Sequence, residues 1–196
     1  QGYEFLGGSV TVNGSGASTI STGNGKGNHL AGGLTTTFLV AETTGDAGVD
    51  LTVSAPLLDG SGDYAGAGAL CKDGPGTMVL AANNTYTGNT TIAGGVLELA
   101  ASGKMYNGGY NNSAVVTVKA GGTWKLPDYS YGGVGQLADY RYRRVLDGGT
   151  IEVTGGTHSS GQDFTVTATG GTLRYNPANT ADTLTLSGNN NTDITV

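Results

Sequence analysis

The chain has one cysteine, one tryptophan, two histidines and four prolines in 196 residues, and only 12% of it is charged. A lone Cys71 excludes an internal disulfide framework, and no Cys/His spacing resembles a zinc site. No apolar run approaches the ~18 residues of a membrane-spanning helix, so no membrane insertion is expected of this segment. Nor does any stretch keep the apolar spacing of an amphipathic helix for more than a turn. The sparse charge, a formal −6, excludes a disordered polyelectrolyte and gives nothing to phosphate binding, which rests on Lys and Arg. Nucleic acid is therefore not an expected partner. HExxH, GxSxG, the P-loop and a complete GxGxxG are all missing, as is any repeated acidic calcium loop. No cofactor, metal or catalytic residue is called, and the chain is read as a non-enzyme.

What the chain has in quantity is glycine, 37 residues, with abundant Thr, Asn and Ser. Gly and Asn suit corners, and Thr and Val suit pleated strands. One local device recurs: a glycine pair, a small residue, then apolar–any–apolar. Gly7-Gly8 leads into Val10-Thr11-Val12, and Gly94-Gly95-Val96 into Leu97-Glu98-Leu99. Gly121-Gly122-Thr123 leads into Trp124-Lys125-Leu126, Gly148-Gly149-Thr150 into Ile151-Glu152-Val153, and Gly170-Gly171-Thr172 into Leu173-Arg174-Tyr175. Pro75-Gly76-Thr77 before Met78-Val79-Leu80 is a variant, and Gly32-Gly33 a degenerate copy. From Gly94 the pairs start 27, 27 and 22 residues apart, within the range of solenoid repeats. Further strands are expected at Val49–Val53, Ala114–Val118, Phe164–Ala168 and Thr183–Leu186.

Side chains alternate faces along a strand, so the apolar positions point inward and Glu98, Lys125, Glu152 and Arg174 point to solvent. Gly76, Gly95, Gly122, Gly149 and Gly171 are the expected structural corners, where the chain turns without a Cβ clash. The pattern predicts an all-β fold, a right-handed parallel β-helix of about eight rungs. With strands ~4.8 Å apart it is a rod roughly 40 Å long. It forms one elongated domain over residues 1–196, with a protruding region at about 104–144. The alternative is an antiparallel β-sandwich, whose hairpins would use Asp59-Gly60, Asp73-Gly74, Asn107-Gly108 and Asp147-Gly148.

Within this pattern Leu70–Leu99 resembles the autotransporter-associated β-strand repeat, also called the passenger-associated transport repeat. The resemblance is carried by Lys72, Gly74, Gly76, Thr77 and Leu80, then by Asn84-Thr85-Tyr86-Thr87-Gly88, and finally by Thr90-Thr91-Ile92, Gly95, Leu97 and Leu99. Met78 and Ala81-Ala82 are mild departures. It implies a right-handed parallel β-helix in a bacterial surface or secreted protein. It also implies a role for the repeat in helping a passenger cross the outer membrane and fold outside.

Outside the repeat, Leu137–Leu146 is unusual. If extended, it puts Asp139, Arg141 and Arg143 on one face and Tyr140, Tyr142 and Arg144 on the other. Such a grouping on a β-helix suits polysaccharide chemistry, with Arg stabilising negative charge and a carboxylate moving the proton; the competing reading is an outward ion-pair strand. Tyr106, Tyr110, Tyr129, Tyr131, Tyr140 and Tyr142 cluster around Trp124, and with Arg141 and Arg143 they form a candidate contact set for a glycan or partner. Equally, the aromatics could plug wider rungs. Recurrent Thr-x-Thr pairs would allow an ice-ordering face, but threonine is favoured on strand surfaces anyway. Cys71 is expected as a small buried hydrophobe, and His29 and His158 as solvated loop residues.

Neither end has the polar cap that closes a solenoid, so flanking rungs of a longer chain or end-on self-stacking are the expected partners. The sequence therefore reads as a non-enzymatic, structural or adhesive β-helix at a bacterial cell surface or outside the cell. A self-assembling filament subunit and a carbohydrate-binding or polysaccharide-degrading β-helix are the alternatives.

Overall fold

Short runs of Val, Thr, Leu and Ile between glycine corners form strands that the chain winds into a right-handed parallel β-helix. The computed structural model describes residues 2–23, 26–45, 48–100, 103–105, 114–126, 130–131, 134–135, 143–155, 158–160, 164–176 and 184–186. Two seven-stranded sheets form two sides of the coil. One is built from Gly8–Val12, Thr35–Val40, Ala69–Asp73, Thr90–Ile92, Val115–Lys119, Arg143–Asp147 and Phe164–Val166. The other is built from Ser18–Ile20, Leu51–Val53, Thr77–Leu80, Gly95–Leu99, Gly122–Leu126, Thr150–Thr154 and Thr172–Asn176. Each successive coil adds one strand to each sheet, so rungs one to seven can be counted along both. Glu4–Phe5, Asn28–Leu30 and Leu57–Asp59 make a third, three-stranded side on rungs one to three. Leu184–Leu186 pairs in parallel with His158–Ser160 and begins a further coil.

Every neighbour within these sheets runs in the same direction, which excludes the sandwich. Among the described residues, antiparallel pairing is confined to Ser130–Tyr131 with Val134–Gly135 and two isolated bridges, Gly60 with Gly66 and Lys119 with Gly148. The Asp-Gly pairs at 59–60, 73–74 and 147–148 therefore stand at ends of coil strands rather than in hairpins joining paired strands.

Register makes the interior. Leu51, Met78, Leu97, Trp124, Ile151 and Leu173 fall in one row, and the first five are fully buried. On the other long side, Phe38, Lys72, Ile92, Val118 and Leu146 form a buried row, with Leu70, Thr90, Val116 and Arg144 beside it. Each buried apolar side chain removes enough surface from water for roughly 1.5–3 kcal/mol. In rungs one and two, Phe5 meets Phe38 edge-on at 5.5 Å.

The outward row of the second long sheet carries Glu98, Lys125, Glu152 and Arg174 in register. Lys125 donates to Glu98 at 2.9 Å and Arg174 to Glu152 at 3.0 Å, so the four charges alternate in sign down the rod. This is where the alternation of the sequence placed them.

Candidate functional site

The densest polar arrangement in the described residues lies in rungs two to five, centred on residues 70–99. It is built at the corners, where backbone groups leave the sheets and need partners. Lys72 shares inward parity with Leu70 and is fully buried. Its Nζ donates to the carbonyls of Asp73 at 3.1 Å, Gly74 at 2.9 Å and Gly94 at 2.9 Å, binding rung three to rung four. Burial pushes its pKa down to about 8, although Asp73, Asp50 and Cys71 favour the charged form. An unfolded lysine titrates near ~10.4, so the folded chain holds this proton less tightly. Stability is therefore expected to rise as pH climbs from about 8 towards ~10, and Lys72→Met should remove that rise. Urea midpoints of both proteins across this window check the sign; a fall specific to the parent chain would reverse it.

At the next corner Asp50, fully buried, joins rungs two and three. One oxygen accepts from the Thr43 and Thr44 amides at 2.7 and 2.9 Å and from both hydroxyls at 3.0 Å. The other accepts from the Thr77 amide at 2.7 Å. Burial by itself would raise the carboxyl pKa, but the donors from Thr77, Thr43 and Thr44 outweigh it and hold the group at about 2. Gly76 sits against this carboxylate: a Cβ there would lie 2.3 Å from the Ala41 carbonyl oxygen and 2.8 Å from Asp50 Oδ2.

The Asn84–Gly88 turn makes the third corner. Asn84 Oδ1 accepts the Leu57 amide at 2.9 Å, while Nδ2 donates at 2.8 Å to both Ala82 and Lys104 carbonyls. One side chain thus touches rungs three, four and five. Asp59 accepts the Thr87 amide and hydroxyl, both at 2.7 Å, and the Gly68 amide at 3.3 Å. Tyr86, fully buried, meets Thr90 Oγ1 at 2.7 Å inside the coil.

The remaining corner glycines also lack space for a side chain. A Cβ at Gly122 or Gly149 would lie 2.4 Å from a carbonyl oxygen, and one at Gly171 2.4 Å from Leu146. At Gly95, with φ of 60°, a Cβ would lie 2.4 and 2.5 Å from the Gly74 and Gly76 carbonyl oxygens.

Tyr106, Tyr110, Tyr129, Tyr140, Tyr142, Arg141 and Asp139 lie outside the described residues. Tyr131 belongs to the short antiparallel pair, and Arg143 is exposed at the start of Arg143–Asp147, beside a buried Arg144. Trp124 is a core residue. Within the 104–144 region, the Lys104 carbonyl joins the coil through Asn84, and Met105 is fully buried.

Two expectations are corrected. Cys71 is half-buried on the outer face between Thr37 and Thr91, because the alternation that turns Leu70 and Lys72 inward turns it outward. Burial and Asp73 push its thiol pKa up. The histidines are in strands rather than loops: His29 Nδ1 lies 2.7 Å from the Asp59 carbonyl, and His158 pairs with Leu184. Sequence reasoning quoted Lys72, Asn84 and Thr87 only within the resemblance and passed over Asp50 and Asp59 as staples.

Among the described residues no group of three His, Cys, Asp or Glu side chains could hold a metal, and no helix is long and apolar enough to cross a membrane.

With this geometry in view, the comparisons are specific. The passenger-associated-transport-repeat family matches residues 70–99, the segment that carries Lys72, Asn84 and Thr87. The chain is similar to the adhesin BmaC autotransporter of Brucella suis biovar 1 (strain 1330), 33% identical over 131 residues. That match covers 64% of this chain and 4% of the relative's length. No solved structure matches the chain.

Proposed function

We propose that this chain, with its passenger-associated transport repeat at residues 70–99, is a non-enzymatic adhesive segment of an autotransporter passenger, acting at the bacterial cell surface or outside the cell. The observation that carries the reading is the coincidence of this repeat with a continuous parallel coil, joined by likeness to a protein whose name is that of an adhesin. A coil of this kind gives adhesion a rigid spacer. Its rungs are held by backbone bonds and a continuous core, so the strand ends from which the intervening segments depart are fixed before contact. Tyr106, Tyr110, Tyr129, Tyr131, Tyr140 and Tyr142, with Arg141 and Arg143, are the contact set that this reading assigns, by their chemistry: large area with few rotors, and fixed charge. The comparisons add no support for a filament subunit or a polysaccharide-degrading enzyme.

The test is a binding and turnover screen of the 196-residue chain on immobilised glycans and matrix proteins. Saturable binding without product release, weakened at least ~10-fold when four of these tyrosines become serine, is the expected outcome. Release of soluble sugar would replace adhesion with catalysis, and no binding on any surface would remove the adhesive role.

A further inference from the structure

A charged side chain on the outside of a coil can meet partners along its own wall or across it. The middle outer row of the second long sheet reads Glu98, Lys125, Glu152, Arg174 over rungs four to seven, one charge per rung with the sign alternating. Such a row is not a general property of the outer wall. The corresponding row of the first long sheet, from Ser9 through Thr91 to Thr165, carries no charge. The bonds Lys125–Glu98 and Arg174–Glu152 leave all four side chains partly in water, from 18% exposed at Glu152 to 56% at Arg174. Beside them Thr123, Thr150 and Thr172 form a neutral row of short side chains in the same register, which lets a second wall come close.

The geometry points to an interface with a second copy of this chain, laid side by side and running in the opposite direction, with the two-fold axis passing between Lys125 and Glu152. An alternating row with an even number of charges is its own complement when reversed. Glu98 of each copy meets Arg174 of the other, and Lys125 of each meets Glu152 of the other, so all four contacts are attractive. Both rows repeat at the same rung spacing of ~4.8 Å, so one placement satisfies every contact. Two copies running the same way in register would set like against like. A slip of one rung would keep three attractions, but it leaves the ends of the rows unmatched and does not close. Rungs four to seven offer roughly 300 Å² per copy, well below the ~800 Å² of a permanent interface. The pairing is therefore weak, reversible and sensitive to salt. It uses none of the tyrosines or arginines assigned to adhesion, so a chain that bound no glycan would still pair.

Sedimentation of the 196-residue chain tests it. At ~20 mM salt, as concentration rises towards ~1 mM, the average mass should climb towards that of a pair, and ~0.5 M salt should return it to that of one chain. Lys125→Glu and Glu152→Lys should each abolish pairing, because each sets like charges together at two contacts. Mixed in equal amounts the two variants should pair again, since all four contacts are then attractive. Circular dichroism checks that both fold; should either not, Lys125→Gln should weaken the pairing several-fold. Carbodiimide cross-linking of unlabelled chain mixed with isotope-labelled chain fixes the direction. Between copies it should join Lys125 to Glu152 and not to Glu98, a link that the slipped parallel arrangement would also make. A single mass at every concentration, association that high salt leaves intact, or single variants that pair like the parent chain would overturn the interface. So would a mixture of the two variants that stays unpaired, or a Lys125–Glu98 link between copies.

Discussion

Trp124→Ala is expected to lower the unfolding free energy by about 3–5 kcal/mol, among the largest losses of any single core truncation in the chain. The indole is fully buried and stands in register between Leu97 of rung four and Ile151 of rung six. Removing it leaves a void that a coil cannot close by shifting one element, because each strand is fixed from above and below by its ladder of backbone bonds. The measurement is a urea titration: the midpoint should fall while the slope keeps its value if unfolding stays cooperative. A loss under ~1 kcal/mol would show that the ring lies at the surface.

Asp50→Ala should cost roughly 3 kcal/mol, since it strands the buried Thr77 amide and frees Thr43 and Thr44 together. Its pH dependence gives a second reading. The folded carboxyl titrates at about 2 against ~3.9 in an unfolded chain. The stabilisation is therefore fully present above ~4 and is lost as pH falls towards about 2. Compared over that interval, the parent chain should lose stability faster than Asp50→Ala. Parallel acid curves would show that the carboxylate is not held by these donors. The slope is opposite in origin to that of Lys72, where burial outweighs the attraction of nearby carboxylates and the neutral amine is favoured.

The coil itself was legible because two simple periods coincide: alternation within each strand, and glycine pairs that return at nearly constant spacing. Those rules placed Leu80, Leu97, Trp124 and Ile151 inside and Glu98, Lys125, Glu152 and Arg174 outside. The staples were not read because residue type was allowed to outweigh position. In Leu70-Cys71-Lys72 the alternation requires lysine to point inward with Leu70 and cysteine to point outward. A small hydrophobe and a long cation suggest the reverse. Only three carbonyls converging from two rungs make the lysine tolerable, and that convergence is a property of stacked corners rather than of any local window. The cross-rung partners of Asp50 and Asp59 are likewise outside any local window, 27 and 28 residues away.

A tube of interchangeable greasy layers faces a problem of counting: a layer that skipped its neighbour would still bury leucine against leucine. The alternating charges on its wall act as a parity check on assembly. Skipping rung five would bring Glu98 beside Glu152, and skipping rung six would bring Lys125 beside Arg174, so either slip puts a like-charge repulsion of some tenths of a kcal/mol or more where an attraction stood. The order of the layers is thus encoded on the wet side of the wall, and strong brine would blur that code while leaving the dry side indifferent.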